Sequence, residues 1–134
     1  MSNEKERIGE GPTLADGTKV PISPAVLAGN LLFVSGQLAM DDHGKVFSAD
    51  ASDQARECVR RLQAIIELAG GTLGDIVKAN IWVTDKRDFP DINRVWTEYF
   101  GDRPPARSTV VSDLLIEGAR VEIDAIAVLE SDSG

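Results

Sequence analysis

Two periods of hydrophobic spacing alternate along this chain. Between residues 52 and 69, Ala55, Cys58, Val59, Leu62, Ile65, Ile66 and Ala69 recur at steps of three and four, which lines one side of a helix with apolar side chains. Arg56, Glu57, Arg60, Arg61 and Glu67 fall on the other side. The pattern predicts an amphipathic helix laid on an apolar surface, N-capped by Asp50 or Ser52 and stopped by Gly70-Gly71. A second helix is expected with Pro90 in its first turn, an apolar set of Phe89, Ile92, Val95, Trp96, Tyr99 and Phe100, and Gly101 as its end.

The remaining apolar segments are short and strand-like. Residues 26–34 predict a hairpin with Ala28 to Asn30 near its tip. Pro21 and Pro24 keep the preceding segment out of any central strand, and Gly36 marks either a bulge or a close approach of backbone. Residues 76–84 predict a strand with Val77, Ala79, Ile81 and Val83 alternating with more varied residues. Residues 109–115 and 120–129 are expected as the last two strands, joined by a turn at 116–119. Residues 1–19 carry neither period and read as a loose lead-in, and 131–134 as a polar tail, leaving one domain over residues 20–130. Strands, helix, strand, helix, strands is the order of an α+β fold, a mixed β-sheet with two helices packed on one face. The uncovered face is too apolar to stay in water, so a homo-oligomer with packed sheets is expected.

Composition narrows the function. With 134 residues the chain is large enough for a real core without disulfides or metal. Its 22 acidic against 14 basic residues, a net charge of −8, argue against nucleic acid as a partner. The one cysteine cannot form an internal disulfide. No apolar run reaches the length of a membrane span and the N-terminus lacks the apolar core of a signal peptide, so a cytoplasmic protein with no membrane partner is expected.

Few side chains remain as candidates for chemistry. Cys58 lies on the apolar stripe and reads as a core residue. His43, the only histidine, sits in a polar turn, which leaves neither a metal-ligand set nor a Ser-His-Asp triad. No glycine-rich phosphate loop is present, and Trp82 and Trp96 read as core or interface residues. Arg107 follows Pro104-Pro105, and Glu122 lies inside an apolar strand; both are costly in such surroundings unless something pairs with them. The residues alone leave two readings open. One is a structural ion pair or an interface arginine. The other is a guanidinium fork, fixed by the prolines, that binds a substrate carboxylate while Glu122 holds or activates a water.

Pro105-Ala106-Arg107-Ser108 followed by Val121-Glu122-Ile123 resembles the signature of the RidA family, also called YjgF/YER057c/UK114. Leu32-Phe33-Val34-Ser35-Gly36-Gln37, Gly74-Asp75-Ile76-Val77-Lys78 and Asp88-Phe89 with Asn93 resemble further family motifs in order and spacing, over nearly the whole chain apart from its two tails. The resemblance implies a homotrimer of chorismate-mutase-like α+β subunits with sites in the clefts between them. It implies a deaminase acting on 2-iminobutanoate and 2-iminopropanoate, or on enamine acids such as 2-aminoacrylate. Such an enzyme releases 2-keto acids and ammonia without a cofactor. It further implies Arg107 as the carboxylate-binding residue, Glu122 as the residue associated with the water, and Ser35, Gly36 and Asn93 as pocket-lining positions. There is one departure: Pro21-Ile22 stands where the best-known deaminases carry Pro-Tyr, so that hydroxyl is missing. This leaves room for a different imine acid or for a carboxylate-binding module without turnover. Action on RNA, reported for some members, fits the acidic balance least.

Overall fold

The computed structural model describes residues 4–41 and 43–130. The apolar stripe of the first helix is realised in α1 (Ala51–Leu68), where Cys58, Val59, Leu62 and Ile66 are wholly buried. Burial of each such side chain stabilises the fold by roughly 1.5–3 kcal/mol. Asp50, not Ser52, is the N-cap, its carboxylate accepting from the Asp53 N–H. The helix ends where Gly70 adopts φ +92°, a conformation that needs glycine. The second helix, α2 (Phe89–Phe100), buries Ile92, Val95 and Trp96. Phe89, expected in its apolar set, is instead 45% exposed.

Among the described residues six strands form one mixed sheet: β1 (Lys5–Ile8), β2 (Ala25–Ala28), β3 (Leu31–Gln37), β4 (Ile76–Val83), β5 (Ala106–Val111) and β6 (Val121–Val128). Their order across the sheet is β1-β2-β3-β6-β4-β5. β2 and β3 make the expected hairpin about Gly29-Asn30. β4 and β5 pair in parallel, a crossover made by α2, and β6 runs antiparallel between β3 and β4. α1 packs on β3 and β6 and against α2, so both helices cover the face that carries Leu32, Val34, Ala79, Ile81, Ile123 and Ala125.

Three expectations need correction. Residues 5–8 of the supposed loose lead-in form β1, an edge strand on β2, and Thr13 bridges Lys19; an exposed edge strand can be polar throughout, which hides it from hydrophobic periodicity. A register shift between Ile76 and Lys78 takes Val77 out of phase with Ala79, and it is 47% exposed. β5 begins at Ala106 and ends at Val111, so Arg107 lies within a strand and Leu115 lies outside it, fully exposed. The tail 131–134 lies outside the described residues.

A buried polar knot ties the N-terminus of α1 to the chain entering β6. Gln54 is wholly buried. Its amide donates to the carbonyls of Ser48 (2.7 Å) and Gly118 (3.1 Å), and its carbonyl accepts from the Arg120 N–H (2.8 Å). Replacing it with leucine strands three backbone groups, so Gln54→Leu is expected to lower unfolding free energy by about 3 kcal/mol in urea titrations.

Candidate active site

Arg107 takes its direction from the parallel pairing of β5 on β4, which sets it beside Ala79. Ala79 is wholly buried beneath the helices, and in-register neighbours share a face, so Arg107 also points to the helical side. There its Nε donates to Thr109 Oγ1 at 2.9 Å and its Nη2 to Asn93 Oδ1 at 2.7 Å. Its guanidinium carbon lies 5.6 Å from the ring centroid of Phe89 and 5.5 Å from that of Trp96, distances at which a cation is attracted to the ring face. Burial draws its pKa below the ordinary arginine value.

No carboxylate pairs with Arg107 among the described residues. Three of its five N–H donors remain unused by Asn93 and Thr109. The group lines a concave pocket of about 330 Å³ with Asn93, Trp96, Thr97, Gly101, Pro104 and Pro105. A planar guanidinium held by two side chains and stacked on rings is preorganised for a carboxylate.

Glu122 stands on the other side of the sheet. Its register partner on β4 is Trp82, an odd number of residues from Ala79, so alternation turns Glu122 toward the face without helices. β3 makes room for it at Gly36, where a Cβ would overlap Glu122 Oε2 and lie 3.0 Å from Cδ. Desolvation, and then the neighbouring Asp124, push the Glu122 pKa above the ordinary carboxylate value. Asp124 itself accepts from the Asn80 N–H at 3.1 Å. Ser35 Oγ donates to the Ser23 carbonyl at 2.6 Å and the Ser35 N–H to the Pro24 carbonyl at 2.9 Å. These bonds tie the segment carrying Ile22, 45% exposed, to the Glu122 side of the sheet.

The five residues singled out in the sequence therefore form two groups. Arg107 and Asn93 meet on the helical face, and Ser35, Gly36 and Glu122 gather at β3 and β6. The sheet lies between Arg107 and Glu122, so one chain does not pair them as ions. Cys58 is wholly buried, with its Sγ toward the Val121 carbonyl, and burial pushes its thiol up to about 12, far from a reactive thiolate. Sequence reasoning missed Phe89, Trp96 and Thr109 as neighbours of Arg107, and Asp124 as a neighbour of Glu122. Of these Thr109 and Asp124 left a trace, the two-residue spacing from Arg107 and from Glu122 that places each pair on one face of a strand.

Gly36→Ala isolates the position of the Glu122 carboxylate. The new Cβ displaces the end of a flexible side chain rather than backbone. The variant is expected to melt within a few degrees of wild type. It should lose at least about tenfold in kcat/KM for any substrate that uses Glu122.

Comparison with known proteins adds the kinship of the chain. Residues 15–129 match the model of the family described as endoribonuclease L-PSP. A RutC family protein, y4sK of Sinorhizobium fredii, is 46% identical over 86% of this chain and 92% of its own. The 2-iminobutanoate/2-iminopropanoate deaminase of Dermatophagoides farinae is 39% identical over 82% of this chain and 88% of its own. The crystal structure of RidA from an Antarctic Psychrobacter superposes with a TM-score of 0.80 at 32% identity, over 92% of this chain and 99% of that one.

Proposed function

The chain belongs to the endoribonuclease L-PSP family, the RidA kinship its motifs resemble, and from that premise we propose that it hydrolyses reactive 2-imino and enamine acids to 2-keto acids and ammonia. The observation that carries the reading is Arg107, a half-buried guanidinium with donors to spare and no carboxylate partner among the described residues. A small carboxylate with an apolar body fits a charged fork set among Phe89, Trp96 and two prolines. The deaminase from Dermatophagoides farinae lends its reaction as the model.

In this mechanism Arg107 holds the substrate carboxylate, and Asn93 fixes the guanidinium. Glu122 accepts a proton from a water as that water attacks the imine carbon, forming the carbinolamine. The same carboxyl returns the proton to nitrogen. The carbinolamine hydroxyl then gives its proton, again through Glu122, to the nitrogen as the C–N bond breaks and the C=O bond forms. This leaves ammonia and the 2-keto acid with no change of oxidation state and no cofactor needed. Free imines already hydrolyse in water, so juxtaposition of water and substrate, worth up to about 7 kcal/mol, meets the catalytic demand.

Arg107 and Glu122 face opposite sides of their own sheet, so a single site containing both needs two chains. The reading therefore includes a homotrimer in which the Arg107 pocket of one subunit meets the Glu122 face of the next. Exposed Phe33 and Leu31 on the open face, and Val110 and Val111 on the β5 edge, supply apolar contact for it. Light scattering should return the mass of three chains at micromolar concentration; a monomer at that concentration contradicts the two-chain site.

Turnover is tested by generating 2-iminobutyrate in situ with an amino-acid oxidase and following its decay. The native protein should accelerate that decay, and an unchanged rate would overturn the proposal for this substrate. Ile22, which offers no hydroxyl, favours a second reading: a trimeric carboxylate-binding module without turnover. Calorimetric binding of 2-ketobutyrate without acceleration of imine decay would select it.

A further inference from the structure

Among the described residues the ion pair between Asp88 and Arg120 has the most buried carboxylate of any charge pair. Asp88 is 5% exposed and lies immediately before α2. Aspartate is among the best helix N-caps, yet this carboxylate makes no capping bond to α2. Both of its oxygens are taken by Arg120, Oδ2 by Nε at 3.1 Å and Oδ1 by Nη2 at 2.7 Å, the two-pronged arrangement in which an arginine fixes geometry as well as charge. Arg120 is anchored in turn: its Nη1 donates to the Ala49 carbonyl at 3.0 Å and its backbone N–H to the buried Gln54.

This pair reaches both halves of the site. Phe89 directly follows Asp88 and Asn93 lies in the next turn of the same helix; these side chains contact the Arg107 guanidinium. At the other end Arg120 opens the run into β6 and stands two residues before Glu122. The geometry points to Arg120, acting through Asp88, as a positioning residue for the carboxylate clamp: it sets the first turn of α2 on the sheet so that Phe89 and Asn93 hold Arg107. The inference rests on the carboxylate-binding reading of Arg107, while the placement of that side chain can be measured without any ligand.

Two variants keep the test independent of folding. Asp88→Asn retains shape but removes the charge, and Arg120→Lys retains charge but not the fork. The ligand-free readout is hydrogen exchange of the Arg107 Nε–H, which is bonded to Thr109, with the Arg56 Nε–H, bonded to Glu98, as internal reference. In Asp88→Asn the Arg107 proton should exchange at least about fivefold faster while the Arg56 proton is unchanged. With 2-iminobutyrate, KM should rise about tenfold and kcat stay within about twofold, with Arg120→Lys showing smaller changes in the same direction. Unchanged Arg107 exchange in both variants, despite a lower melting temperature, overturns the inference and leaves the pair a stabilising contact only. Absent turnover and absent keto-acid binding in the wild type would instead sink the proposed function, and the exchange data would still decide the positioning role.

Discussion

Arg107→Ala is expected to lower kcat/KM for 2-iminobutyrate by about two to three orders of magnitude, because truncating one partner of a desolvated charge pair costs roughly 3–4 kcal/mol. The loss should fall mainly on binding, since the carboxylate is held in both ground and transition states. Isothermal titration with 2-ketobutyrate should show a matching loss of affinity. Arg107→Lys keeps the charge but not the planar fork or its stacking between Phe89 and Trp96, and should recover no more than about tenfold of the deficit. Folding is not at stake: burial disfavours this guanidinium, and Asn93 and Thr109 lie near enough to solvent to rehydrate. Retention of full activity by Arg107→Ala would remove the basis of the proposed function.

Glu122→Gln carries the second large effect, a fall in kcat of about 10²–10³, within the roughly 10²–10⁴ that a general acid–base group contributes. Its pH signature is specific. The Glu122 pKa lies above the ordinary carboxylate value, through desolvation first and Asp124 second. Activity should therefore rise with pH through an ionisation displaced upward from that value, and this acid limb should vanish in the variant. Stability runs the opposite way. The folded chain binds the Glu122 proton more tightly than the unfolded chain does, so this group's contribution is fully present below the unfolded pKa and lost as pH rises through the folded one. At pH 7 Glu122→Gln should thus be at least as stable as wild type while nearly inactive. An inactive variant that has also lost much of its stability would mark Glu122 as a structural residue.

These two expectations bear on how far the sequence could be read. α1 was legible because its apolar residues repeat over several turns and both of its stops are local, Asp50 in front and Gly70 behind. The β2–β3 hairpin was legible for the same reason: its pairing closes across two residues. The relative facing of Arg107 and Glu122 was not, because it depends on a parallel crossover and on β6 inserting between β3 and β4. Fifteen positions of sequence separation say nothing about that parity, whereas the pairings Ala79 with Arg107 and Trp82 with Glu122 fix it. Val77 escaped because a bulge breaks the alternation that would have buried it, and β1 because an edge strand needs no apolar period. Arg107 and Glu122 stood out as charges in apolar surroundings, whereas Ser35 and Asn93 were legible only as motifs. That Asn93 and two aromatic rings cradle Arg107, and that Gly36 clears space for Glu122, are facts of packing between distant segments.

The claim that one catalytic site takes Arg107 from one chain and Glu122 from another is tested most directly by complementation. Arg107→Ala and Glu122→Gln proteins, each inactive alone, are unfolded together in equal amounts, refolded and assayed with 2-iminobutyrate. Random reassembly of trimers restores an intact pair at about a quarter of the interfaces, so the mixture should regain roughly a quarter of the wild-type rate. A mixture that forms mixed trimers yet stays as inactive as its components would contradict the two-chain site.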